Sequence, residues 1–473
     1  MNTELIIKKK EIIQNYLDRK ILITKKIIEQ IDKELNEKQE KTKETQTEEY
    51  TVDVISSYNS FSKKHKIEDF VEYFKTRFKN LEIILRQRQE LQNLTSISRL
   101  NEKKEKEQCT IIGIIYEKTI TKNGNIFLTV EDRTGRIKII ISKNSPSFEL
   151  AQNLVEDEVI GIQGSLGDKI IFANIIILPD VPLIQEIKKS TDEVYAAILS
   201  DIHVGSSYFL EKEFQRFLEW TKGNIGDEKQ KNIAKKTKYF FIVGDLVDGV
   251  GIYPKQDNEL KIKDIYNQYE KFIELITQLP SDKKIIICAG NHDAVRLAEP
   301  QPTFQGKFYE LLKKIPNVTI VSNPSYINIH ASNNFPGFLF LLYHGYSYDF
   351  YANNVQSIRN SGLGLSDRTD LVMKYLLQKR HLAPVHNSTL YIPDPKKDAL
   401  IIDKIPDFFI SGHIHKTKIN NYRGVNIITG SCWQEKTDFQ EKVGHEPEPC
   451  KVPIINLKNK SINILNFENE RIT

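Results

Sequence analysis

Residues 239–249 read YFFIVGDLVDG: an apolar run suited to a buried strand, broken by a glycine and followed by two aspartates, Asp245 and Asp248. The same design recurs on both sides. YAAILSDIHVG (195–205), KIIICAGNHD (284–293), GFLFLLYHGYS (337–347) and DFFISGHIH (407–415) each run apolar and then stop at Asp, Asn or His. Helical stretches separate these runs, the pattern of a layered α/β domain from about residue 193 onward. In α/β sheets ligands bind beyond the carboxyl ends of the strands, so five such loops are expected to converge on one site. The residues placed there are Asp201, His203, Asp245, Asn291, His344, His413 and His415.

Carboxylates, one amide oxygen and imidazoles without sulfur suit borderline divalent metals better than calcium. Seven ligands are too many for one ion. Two ions roughly 3.5–4 Å apart and bridged by a carboxylate would use them, and such pairs hydrolyse phosphate esters. Mn2+ is the first expectation, with Fe2+, Zn2+ or Mg2+ as alternatives. Neighbours on a strand face opposite sides, but a loop just past the strand can turn both imidazoles of GHIH inward, with Gly412 expected to supply the freedom. Each imidazole then serves a different ion. A lone HxH pair usually packs or caps, and a lone Asp-Gly is usually a turn. Five such motifs, each ending an apolar strand, have no comparably bland reading.

With 473 residues the chain exceeds one typical domain, so two or three domains with their own cores are expected. Net charge is +4, from 67 basic and 63 acidic residues, too small to demand a nucleic-acid partner; binding of that kind must come from local patches. No run approaches the roughly eighteen apolar residues of a membrane span. The start, MNTELIIKKK, is charged where a secretory signal needs an apolar core, which points to the cytoplasm. Cys109, Cys288, Cys432 and Cys450 form no CxxC pair, against a disulfide framework or thiolate zinc site.

Isoleucine and leucine recur at helical intervals through residues 1–37, the sign of a small helical module, and the polar stretch that follows suggests a flexible linker over 38–65. Residues 66–93 return to helical periodicity, with Phe70, Phe74, Phe78 and Leu81 on one stripe. From 109 the period becomes that of strands, with Asn123-Gly124 marking a hairpin, and an OB-like barrel is expected over about 107–180. The domain spans are therefore 1–37, 38–65, 66–182 and 193–473. The barrel offers only Tyr116, Phe127, Phe148 and Phe172 for stacking bases, which favours docking of a protein over binding of a single strand.

The motifs DxH, GDxxD, GNHD, H and GHxH, complete here from Asp201 to His415, resemble those of the calcineurin-like metallophosphoesterases. That resemblance implies a β-sandwich with flanking helices. It also implies Asp201, His203 and His415 on one ion, Asn291, His344 and His413 on the other, Asp245 bridging, and His292 as the acid or transition-state stabiliser. Asp248 is expected to orient the His292 imidazole. From about 66 to 457 the chain is further similar to the family of small subunits of archaeal family D DNA polymerases. FVEYFKTRFKNLEIILRQRQEL (70–91), MKYLLQKRHLAP (373–384), GSCWQEKTDFQ (430–440) and KVPIINL (451–457) carry this, with the barrel placed ahead of the esterase motifs. Cys432 departs from the threonine or serine usual there and is not a ligand position.

This resemblance implies a proofreading 3′–5′ exodeoxyribonuclease that releases 5′-mononucleotides. Its partners would be the large polymerase subunit, a primer-template 3′ end and a sliding clamp. The alternatives are a double-strand-break repair nuclease of the same superfamily and a non-catalytic polymerase scaffold. A phosphoprotein phosphatase would carry GDxxDRG and GNHE, where this chain has GDLVDG and GNHD. Lys416, Arg359, Arg368 and Arg380 are candidate phosphate contacts, while His381 and His386 lack a strand-end context and stand outside the metal set.

Overall fold

Val52, Val54 and Ile55 give TVDVISS a β-prone character, and Val52–Ser57 forms a strand, β1, where a linker was expected. It pairs antiparallel with a strand of the esterase region, from Val52 opposite Ile329 to Ser57 opposite Ser325. The computed structural model describes residues 51–59, 64–183 and 186–473; the helical module expected over 1–37 and most of the segment read as linker over 38–65 lie outside them.

The helical stripe after residue 66 folds as Ile67–Leu85, burying Tyr73, Arg77, Phe78, Leu81 and Leu85. It stops eight residues short of the expected end. RQRQE offers no apolar side chain to continue the buried stripe, and the next one, Leu91, instead fills the space beside Gly161.

Five strands close the expected barrel: β2 (Gln108–Ile120), β3 (Ile126–Glu131), β4 (Arg136–Ile141), β5 (Val159–Gly167) and β6 (Ile170–Ile177), in the order β2-β3-β4-β6-β5. Strict alternation puts Ile126, Leu128 and Val130 of β3 and Ile137, Ile139 and Ile141 of β4 inside. Tyr116 and Phe172 remain exposed, Arg136 lies 3.9 Å over the Tyr116 ring, and Lys138 lies 5.8 Å from the Phe127 ring centre.

The esterase region is a sandwich of two six-stranded sheets. One contains β7 (Tyr195–Leu199), β8 (Thr237–Val243), β9 (Lys284–Cys288), β10 (Val318–Ile320), β16 (Lys451–Asn456) and β17 (Ile462–Asn466), in the order β10-β9-β8-β7-β16-β17. The other contains β1, β11 (Ser325–Ile329), β12 (Phe338–Leu342), β13 (Phe408–Ser411), β14 (Ile419–Tyr422) and β15 (Val425–Thr429), in the order β1-β11-β12-β13-β15-β14. Phe340 stacks between Phe241 and Phe408, 4.6 Å from each, so aromatic side chains fill the space between the sheets. Helices 211–221, 228–236 and 265–276 cover the outer face of the first sheet, contributing Phe214, Trp220, Ala234 and Phe272. Helices 348–354 and 369–379 cover that of the second, with Tyr351, Met373 and Leu376. This is the β-sandwich with flanking helices that the motifs implied.

Buried polar groups join barrel, helix and sandwich. Glu158 of the barrel receives Lys379 at 2.7 Å and the Tyr375 hydroxyl at 2.6 Å. Arg77 donates to Asp398 at 2.8 Å and to the Pro384 carbonyl at 2.5 Å, and Tyr73 and His381 also reach Asp398, each at 2.9 Å. Such charges stay buried only because they are paired and hydrogen-bonded.

Candidate metal centre

Parallel β7, β8 and β9 in one sheet and parallel β12 and β13 in the other end on the same side. Five residues past these ends adopt left-handed backbone: Asp201 (φ 51°), His203 (54°), Asp245 (52°), His413 (72°) and His415 (58°). Each costs a residue with a Cβ roughly 1–2 kcal/mol. Their clustering at one place is strain held by the surrounding fold. It is also what turns both imidazoles of GHIH inward, because His413 and His415 make the turns themselves. Gly412, expected to supply that freedom, has no such φ and serves close approach: a Cβ there would lie 2.6 Å from Asp201 Oδ2 and 2.9 Å from the Val243 carbonyl. Gly290 is similar, since a Cβ would lie 2.2 Å from Asp245 Oδ1.

Main-chain bonds lock the loops to one another. Asp201 N–H donates to the Gly244 carbonyl at 3.0 Å, and His203 N–H to the Asp245 carbonyl at 3.1 Å. His413 N–H donates to Asp201 Oδ2 at 3.0 Å, and His292 N–H to Asp245 Oδ1 at 2.8 Å. On one side of the resulting cluster, His415 Nε2 lies 3.4 Å from Asp201 Oδ1 and 3.1 Å from His203 Nε2. On the other, His344 Nε2 lies 3.0 Å from Asn291 Oδ1, with the His413 ring 5.3 Å from the His344 ring. Asp245 Oδ2 stands between, 3.3 Å from His344 Nε2 and 3.8 Å from His203 Nε2. His344 Nδ1–H donates to the Val243 carbonyl at 2.9 Å, leaving Nε2 free to face the cluster.

Asp201, Asp245 and Asp248 are at most 1% exposed. Burial opposes their ionisation, yet His415 holds the Asp201 carboxyl below its usual range, and His344 and His292 hold that of Asp245 well below. Burial opposes the charged imidazole of His344 too, and the carboxylates of Asp245 and Asp201 overcome it, pushing His344 up to about 10. Burial pushes His415 down to about 4, keeping that ring neutral. A buried site that draws in positive charge, offers a neutral imidazole and presents oxygen and nitrogen donors without sulfur fits divalent metal ions. Asp201, His203 and His415 form one group able to hold an ion, and Asp201, Asp245 and His344 another. All four cysteines are buried and unpaired, and none joins either group.

The calcineurin-like phosphoesterase model matches residues 195–417, and the model of an OB-fold nucleic acid binding domain matches 109–169. The DNA polymerase II small subunit of Archaeoglobus fulgidus is 39% identical over 389 residues, 82% of this chain and 75% of that protein. That of Methanothermobacter thermautotrophicus is 36% identical over 392 residues, 83% of this chain and 78% of that protein. The chain belongs to the DNA polymerase II small subunit family. The Pyrococcus furiosus small subunit is 38% identical over 405 residues, 85% of this chain, of which the match spans 64% of the relative's length. The family resemblance drawn from the motifs is thereby borne out, and the phosphoesterase domain of this small-subunit family implies divalent metal ions.

In this small-subunit chain the nine residues expected at the site stand together, with one correction. The Asp248 carboxylate orients His203, 3.1 Å from Nδ1, and it is the Asp248 main-chain carbonyl that meets His292 Nδ1, at 2.7 Å. Gln434 and Gln256 in turn donate to the Asp248 carboxylate at 3.0 and 2.8 Å. Strand-end reasoning missed the outer contacts. Asp349 places its carboxylate 3.5 Å from His413 Nε2 and 3.1 Å from His445 Nε2, and the Gln440 amide lies 2.8 Å from His415 Nδ1. These sit on helices and loops, where no periodic signal marks them. Three of the four candidate phosphate contacts are occupied elsewhere. Arg380 is buried on the Ile402 and Asp403 carbonyls, Arg368 bonds the Leu363 and Ala352 carbonyls, and Lys416 pairs with Asp367 and Glu448. Arg359 is exposed.

Among the described residues, no helix is long and apolar enough to cross a membrane.

Proposed function

We propose that this chain is the proofreading 3′–5′ exodeoxyribonuclease subunit of a heterodimeric replicative DNA polymerase, working in the cytoplasm, holding the large subunit and releasing 5′-mononucleotides from a primer-template 3′ end. The observation that carries the reading is the convergence of Asp201, His203, Asp245, Asn291, His344, His413 and His415 at one end of both sheets. Asp201, His203 and His415 would hold one ion, Asn291, His344 and His413 the second, and Asp245 both; Mn2+ is the preferred choice. Bound there, such ions activate water and neutralise charge developing on a phosphodiester.

The chain's own residues supply position and orientation. The Asp248 carboxylate fixes the His203 ring, and its carbonyl receives the His292 Nδ1–H; in the protonated ring the Nε2–H is then left to donate to the departing 3′ oxygen. Burial is the largest influence on His292 and pushes it down, while the Asp245 and Asp248 carboxylates work against burial and favour the protonated ring that this role needs. A mismatched terminus frays at lower cost than a paired one, so a site that reads no bases still selects it. Contact with a sliding clamp is proposed as well.

The decisive experiment incubates the purified chain with Mn2+ and a 3′-mismatched primer-template, alongside Asp201→Ala and His292→Ala. Stepwise shortening by the parent that disappears in both variants is expected. Equal residual activity in all three would reject the nuclease and leave the scaffold. Co-purification with a large polymerase subunit from the source cells tests the partnership.

A further inference from the structure

The catalytic cavity, about 260 Å³, is bounded on one side by Tyr346 and Asp349. These two residues also line a second, open cleft of about 700 Å³, so the two spaces are neighbours across a shared wall. Its remaining walls include Phe70 from the helix 67–85, Phe350 from the helix 348–354, and His386, Leu390 and Tyr391 from one loop. Part of this surface is open to solvent. Leu390 is 58% exposed, His386 is exposed, and Tyr346, Phe350 and Phe70 are half-buried.

The walls are built and held. Tyr346 meets the His413 ring edge-on at 5.7 Å, which fixes it against the metal cluster. Tyr391 stacks on buried Tyr73 at 5.0 Å and shares a hydrogen bond with His386, and Phe70 packs edge-on against both rings. On the cleft floor the Asp349 carboxylate is already engaged, 3.5 Å from His413 Nε2 and 3.1 Å from His445 Nε2. The cleft presents aromatic and apolar side chains together with the exposed polar His386 and Asn387, on the side away from the metal cluster.

We infer that this cleft is a binding site for the unpaired bases of a single DNA strand, seating the nucleotides next to the scissile phosphate by stacking. The inference rests on the nuclease reading above. Base stacking on aromatics tolerates any sequence, as removal of arbitrary misincorporated nucleotides requires, whereas a duplex keeps its base faces covered. The cleft therefore selects unpaired ends by offering surface only a frayed strand can use.

The test uses the full chain, with Leu390→Ser and His386→Ala, and two hexanucleotide probes: fluorescein-labelled (dT)6, and the same strand with abasic sugars at its three 3′-terminal positions. Anisotropy with Ca2+ reads binding without turnover. The parent is expected to bind the base-bearing strand about tenfold more tightly than the abasic one, and each variant to lose about that factor on the base-bearing strand only. Equal affinity of parent and variants for the base-bearing strand, or an equal loss on both probes, overturns the cleft. With Mn2+ the same proteins are assayed for release of nucleotides. Absence of hydrolysis together with the base-dependent pattern would sink the nuclease reading and keep the cleft; hydrolysis without that pattern would do the reverse.

Discussion

The main-chain carbonyl of Asp248 stands 2.7 Å from Nδ1 of His292, while the carboxylate of the same residue stands 3.1 Å from Nδ1 of His203. One residue thus orients two imidazoles through different atoms, and substitution of its side chain disturbs only one of them.

Asp248→Ala is accordingly expected to weaken metal binding 10- to 100-fold, as loss of an outer-shell partner does, and to recover activity at high Mn2+. His292→Ala should keep metal affinity and lose 10²- to 10⁴-fold in turnover at every Mn2+ concentration. Titration of Mn2+ by calorimetry beside turnover measurements separates the two. Identical metal isotherms for parent and Asp248→Ala would remove the carboxylate from the role given to it.

Asp245 lies between both halves of the cluster, and His344 touches one. Elemental analysis after reconstitution should find two ions per parent chain, fewer than one in Asp245→Ala, and close to one in His344→Ala. Full retention by Asp245→Ala would show that it does not bridge.

Gly412→Ala forces a methyl group to within 2.6 Å of Asp201 Oδ2 and 2.8 Å of Ser200 Cβ, both buried. Loss of metal uptake and of activity is expected, with a destabilisation of about 1–3 kcal/mol in urea unfolding of the metal-free chain. A variant that binds metal as the parent does would return Gly412 to an ordinary loop position.

Glu299 is buried with its carboxyl accepting from the Tyr343 hydroxyl at 2.9 Å, and burial pushes it up to about 7. The folded state holds the proton more tightly than the unfolded chain. Its contribution to stability is therefore complete below about pH 4.5 and is lost as pH rises through 7, a change of about 3 kcal/mol. In metal-free protein, Glu299→Gln should unfold at a higher temperature than the parent at pH 8, with the gap closing near pH 4.5. A gap independent of pH would mean that Glu299 is ionised in the fold.

Arg77 and Asp398 are each at most 3% exposed, and Asp398 also receives Tyr73 and His381. Arg77→Ala leaves the buried Asp398 carboxylate without its cationic partner and should cost about 3–5 kcal/mol in chemical unfolding. A cost under about 1 kcal/mol would mean that water reaches Asp398 from the helix side.

The cluster of candidate metal ligands was legible because metal chemistry restricts residue types and a strand end restricts their place. Carboxylate, amide and imidazole must follow apolar strands, and an apolar run has a period that can be read in one dimension. Barrel and sandwich followed from the same periodicities. Where they stopped, the reading stopped. Residues 52–57 resemble a tail of the linker until Ile329 is found opposite Val52, and that pairing spans more than 270 positions.

Residue order alone therefore specified the strand-end Asp, Asn and His residues, the αβ layering and the barrel, since local hydrophobic spacing decides which residues end a strand. Tertiary packing alone decided that Asp248 turns its carboxylate to His203, that Asp349 and His445 close around His413, and that Arg380 and Lys416 are engaged within the fold. Those pairings are contacts between side chains far apart along the chain, and their distances depend on how two sheets and their covering helices stack, which no period within one segment encodes.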